Sequence, residues 1–110
     1  MTEQETLTLW KSLVENQFKD QMVRMRTERN WQRHGWFRLW YAHIPTQYRI
    51  LVEGQFDTFV IRILASDRRF CPLQDLTDYP RGNTEEEIQE TLENLELCLM
   101  EPIPFRQMRR

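Results

Sequence analysis

Leu7, Trp10, Val14, Phe18, Met22 and Met25 recur at intervals of three and four, with Leu13 beside them. At about 100° per residue these positions fall on one side of a cylinder, so the spacing predicts one long amphipathic helix over residues 3–29. Thr2 with Glu5 three residues later fits a capping box, which satisfies free N–H groups at a helix start. Glu3 and Glu5 suit the positive end of the helix dipole, and Arg24, Arg26 and Arg29 the negative end. Beyond Gly35 the period changes. Tyr48, Ile50 and Val52 alternate with Arg49, Leu51 and Glu53; Phe59, Ile61 and Ile63 alternate with Val60, Arg62 and Leu64. Alternation in β-branched and aromatic runs predicts strands over residues 36–44, 48–53 and 58–65. Pro45-Thr46 and Gly54-Gln55 punctuate them as turns, and such short connections favour an antiparallel meander. The third run is apolar on both faces, which suits a central or well-covered strand.

Residues 66–83 hold Pro72, Pro80, Gly82, Asn83 and three aspartates. They predict a long loop with a short strand near Phe70. Thr84 and Glu87 form a second capping box before Ile88, Leu92, Leu95 and Leu99, which predicts a second helix ended by Pro102 and Pro104. The order is α–β–β–β–α. The expected fold is an α+β two-layer sandwich: an antiparallel sheet of three strands, or slightly more, under two amphipathic helices. The expected organisation is one domain over residues 1–101 and a short basic tail over 102–110.

With 110 residues the chain is too short for a (β/α)₈ barrel. At 40% hydrophobic and 29% charged it is too apolar for a disordered chain. No apolar run reaches the ~18 residues of a membrane span, and the first residues lack the apolar core of a signal peptide. Two cysteines, Cys71 and Cys98, are too few for a disulfide framework. Free thiols and a cytoplasmic location are therefore expected, with no membrane partner.

The net charge is only −2, but it conceals a segregation. Residues 24–49 carry six arginines and one glutamate, a net of +5; residues 82–101 carry seven glutamates and no basic residue, a net of −7. The basic segment also holds Trp31, Trp36, Trp40 and both histidines. One reading makes the tryptophans core and the acidic helix a solvated face. The other makes the segment a binding surface, because Trp, Tyr and Arg are enriched at interface hot spots. Three tryptophans within ten positions exceed what one small core usually absorbs, so at least one is expected at the surface.

Motifs for chemistry are missing. With three glycines the chain has no phosphate loop, dinucleotide fingerprint or nucleophile elbow. His34, His43, Cys71 and Cys98 match no zinc-ligand spacing. Neither a cofactor nor a metal is expected, nor catalysis.

The stretch from Tyr48 to Glu53, then Phe59-Val60, then Gly82-Asn83-Thr84-Glu85-Glu86-Glu87-Ile88 resembles the core of HicB-type antitoxins over less than half of the chain. There a strand pair precedes a capped helix. That resemblance implies an antitoxin-like regulatory protein, although the DNA-binding C-terminal module of that family is missing. The α–β–β–β–α order with an acidic balance is also similar to small secretion chaperones.

The expected function is a non-enzymatic interaction module, an assembly factor, adaptor or small chaperone. It would bind a protein or peptide through Trp31, Arg33, Trp36, Arg38 and Trp40, with Phe105 as an outlying contact. Nucleic-acid binding through the same segment is the alternative, since aromatics stack bases and arginines neutralise phosphate. The two edges of a three-stranded sheet leave homodimerisation open.

Overall fold

The computed structural model describes residues 2–29, 36–55 and 57–107. Helix α1 spans Glu3–Phe18, and the strands are β1 (Met22–Arg29), β2 (Phe37–His43), β3 (Tyr48–Gly54), β4 (Phe59–Leu64), β5 (Arg69–Pro72) and β6 (Arg106–Gln107), with α2 (Glu85–Leu99) between the last two. The fold is α+β, but the sheet has six strands rather than three, in the order β1-β2-β3-β4-β5-β6, every neighbour antiparallel.

The first helix is shorter than its spacing predicts. The expected capping box is present at Thr2 and Glu5. Lys19, however, takes φ 54, ψ −126, which turns the chain out of the helix. A single 3₁₀ turn follows, and then residues 22–29 run as a strand. Met22 still reaches the core, whereas Met25 is 48% exposed. Met22 and Met25 continue the helical spacing by coincidence. The segment after Pro102, expected as a short basic tail, supplies β6, which pairs with β5 at Arg69–Gln107 and Phe70–Arg106.

The strands expected over residues 36–44, 48–53 and 58–65 form within one or two residues of those bounds. Gly54 faces Phe37 across β2 and β3, and the phenyl ring fills the place a Cβ would take. The second helix starts at Thr84, whose hydroxyl accepts from Glu87 N at 3.2 Å and donates to the Glu87 carboxylate at 2.7 Å. The reciprocal half of the expected capping box is thus replaced by a side-chain bond.

One hydrophobic core lies between both helices and a single face of the sheet. Leu7, Trp10, Val14 and Phe18 of α1 and Ile88, Leu92 and Leu95 of α2 meet Phe37, Leu39, Ile50, Val52, Phe59, Ile61 and Ile63 there. The loop before α2 is strapped down rather than free. Trp10 Nε1 donates to Asn83 Oδ1 at 3.0 Å, Asn83 Nδ2 donates to the Thr58 carbonyl at 3.4 Å, and Asn94 Nδ2 to the Asp78 carbonyl at 3.3 Å. Among the described residues no helix is long and apolar enough to cross a membrane.

Candidate functional site

Side chains alternate across a strand, so residues flanking the core positions point to the opposite face. Both helices pack on the first face. Among the described residues no helix covers the second. Register brings its side chains into rows. Arg26, Trp40, Leu51 and Arg62 stand side by side across β1 to β4, as do Glu28, Arg38, Glu53 and Val60.

An uncovered face should keep its charges in water. Glu53 instead is only 4% exposed. Its carboxylate accepts from Arg38 Nε at 3.3 Å and pairs with Arg62 on the neighbouring strand. A second group stands beside it. Glu28 Oε1 accepts from Trp40 Nε1 at 2.6 Å and pairs with Arg26 Nη2 at 3.3 Å. The Arg26 guanidinium lies over the Trp40 ring, 4.8 Å from its centroid. Charge-assisted bonds and cation–π contacts of this kind hold long side chains in one arrangement. Leu51, flanked in register by Trp40 and Arg62, is buried at 5% exposure although it faces away from the core.

The same face hollows into a recess of ≈ 740 Å³ where the β2–β3 and β4–β5 turns meet. Two residues with positive φ, Gln47 (62°) and Arg68 (69°), shape those turns. Trp40, Ala42, Ile44 and Leu64 give the recess apolar walls, and Arg49 and Arg68 line it as exposed cations. Neither arginine makes an ion pair with another described residue. His43 borders one end, although its ring lies on the core side, 6.1 Å from the Phe18 ring. Burial pushes its imidazole below the usual histidine range, against a smaller opposing effect of Glu96, and its Nδ1 lies 2.8 Å from Thr46 Oγ1.

Of the expected contacts, Arg38 and Trp40 come together on the uncovered face, both half-buried. Trp36 packs against the hydrophobic core. Phe105 does the same, edge-on to Tyr48 at 4.9 Å and beneath the Arg69 guanidinium at 5.3 Å, apart from Trp40. Trp31 and Arg33 lie outside the described residues. Glu28, Glu53, Arg26 and Arg62 complete the arrangement and were not singled out by sequence reasoning. Their signal was the alternation of the strands, which gives the face of each residue but not its neighbour. Both cysteines are free, and burial pushes both thiols above their usual range. Among the described residues no three His, Cys, Asp or Glu side chains gather as a metal site would need. Compared with protein-family models, with curated proteins and with solved structures, the chain matches none.

Proposed function

We propose that this protein is a non-enzymatic interaction module that holds a partner protein or peptide on the uncovered face of its sheet, as an assembly factor, adaptor or small chaperone does. The observation that carries the reading is the pair of networks, Arg26–Glu28–Trp40 and Arg38–Glu53–Arg62. They fix a tryptophan and three arginines on rigid strands. Tryptophan and arginine anchors held in place lose little side-chain freedom when a partner docks, and that surplus appears as affinity. The half-buried Val60, Leu64 and Phe70 add apolar surface between them.

Nucleic acid suits the same residue types less well in this arrangement. Arg26, Arg38 and Arg62 already have carboxylate partners. Arg26 and Arg106 also occupy the ring faces of Trp40 and Phe70 on which bases would stack. A polyanion gains most from unneutralised cations and free aromatic faces.

Tagged wild-type protein and a Trp40→Ala variant, each checked for folding by circular dichroism, would be used for capture from native extract with nuclease at low and high salt. The expected result is a stoichiometric protein partner that survives nuclease and salt and is lost with Trp40→Ala. Equal capture by the folded variant, or recovery only of salt-sensitive nucleic acid, overturns the reading.

A further inference from the structure

We infer that the recess at the β2–β3 and β4–β5 turns is the part of the uncovered face that selects the partner, and that it takes an acidic peptide segment carrying an apolar side chain. This inference rests on the interaction reading above and names the chemistry of the partner. The recess combines two features that occur together nowhere else among the described grooves. Arg49 and Arg68 are exposed guanidinium groups without an ion-pair partner among the described residues, in a chain whose acidic residues outnumber its basic ones 17 to 15. Between them lies apolar surface from Ala42, Leu64 and Ala65, with Ile44 53% exposed at the rim. Unpaired cations over an apolar floor complement a carboxylate set beside a hydrocarbon side chain. A groove between the helices, lined by Gln4, Glu5, Thr8, Leu9, Ser12, Thr84 and Glu85, has acidic rather than basic walls. The groove at the end of α2, around Leu76, Leu97 and Met100, has Glu101 as its only charge.

A second copy could offer a similar segment, since Glu90, Glu93, Leu97 and Met100 are exposed on α2. The recess and α2 lie in opposite layers of the fold, however. Such a contact is head-to-tail and runs on into a ring or an open stack instead of closing on itself as a two-fold dimer. The occupant assigned here is therefore a segment of a different protein.

The test is a titration of full-length ¹⁵N-labelled protein with a decapeptide of alternating glutamate and leucine, followed by amide NMR. The expected result is saturable shifts at residues 42–49 and 64–68. Affinity should fall about tenfold or more when the protein carries Arg49→Glu and Arg68→Glu, because reversal replaces attraction with repulsion. It should fall similarly when glutamine replaces the peptide's glutamates. Binding of the glutamine peptide with equal affinity, or shifts centred on other residues, overturns the assignment. The double variant is also taken through the capture experiment. If it still retains the partner that Trp40→Ala loses, the uncovered-face reading stands and the recess assignment fails. Two further outcomes overturn the choice of occupant. One is concentration-dependent self-association in the ultracentrifuge that the double variant abolishes. The other is tighter binding of a thymidine decanucleotide than of the peptide at the same residues.

Discussion

Replacing Glu53 with glutamine isolates what a buried carboxylate does on an uncovered sheet face. The substitution keeps the shape and removes the charge. Arg38 and Arg62 then face each other across β3 without their shared counter-ion. Breaking a fully buried pair costs roughly 3–5 kcal/mol, while an exposed pair is worth about 0–1. The Glu53 side chain is 5% exposed, but its partners keep 30% and 40% of their surface in water. Water can therefore take up much of the released charge, and the cost lies between the two limits, at about 2 kcal/mol. In a chain of this size that lowers the melting temperature by roughly 8–10 °C. Urea denaturation should show a lower midpoint with an unchanged slope. A cycle with Arg62→Met separates the pair from the rest: with Arg62 removed, Glu53→Gln should cost about 1 kcal/mol less. A Glu53→Gln midpoint within about 0.5 kcal/mol of wild type, or additive single and double variants, would refute the account of Glu53 as the anchor of the two arginines.

Three further outcomes follow from particular residues. Gly54→Ala would push a methyl into the Phe37 ring and should destabilise by about 1–3 kcal/mol in urea unfolding. Lys19→Gly should stabilise by about 0.5–1 kcal/mol, because φ 54 with ψ −126 suits glycine and strains a side-chain-bearing residue; a melt at or below wild type contradicts this. His43 is held below its ordinary pKa by burial, so as pH falls through about 6.5 the unfolded chain takes up the proton first. The stability that neutral His43 contributes is complete above that pH and is lost on acidification. His43→Gln should therefore show a flatter fall in melting temperature between about pH 7 and 5.5 than wild type.

The strand pattern was readable because alternation, turn residues and β-branched side chains agreed from Trp36 to Leu64. The sheet was undercounted for three separate reasons. Residues 22–29 carry Met22 and Met25 at helical spacing from Phe18, and the stop before them is a backbone turn at Lys19 that no glycine or proline marks. The short strand expected near Phe70 is β5, but β6 is only two residues long, too short for any periodicity. β6 also forms only by pairing with β5, a contact that no local pattern announces. The candidate site was half legible for a related reason. Trp40 and Arg38 stood out by composition, but the glutamates that fix them became neighbours only through the register of β1, β2 and β3.

The charge segregation of the sequence turns into a segregation across the thickness of the fold, and one irregularity in β1 decides which of its arginines meets the tryptophan. Arg24 pairs in register with Tyr41, a core-side position, and reaches Glu15 of α1 at 3.9 Å. A straight strand would place Arg26, two residues on, on that same side. The register shifts between Arg24 and Arg26, so Met25 is an extra residue and Arg26 lands opposite Trp40 on the uncovered face. Beyond the bulge Arg29 faces the helices, where it bonds Glu3 at 3.1 Å. The arginines of β1 are thus divided, two neutralised against α1 and one delivered to the tryptophan. Arg38 and Arg49 add to the uncovered face from β2 and β3, while Glu85, Glu86, Glu90 and Glu93 of α2 stay exposed on the helical layer. The same bulge twists an eight-residue edge strand away from flat pairing, which protects that edge from unwanted strand addition. For the acidic partner proposed above, this asymmetry would favour approach to the sheet face over the helical side.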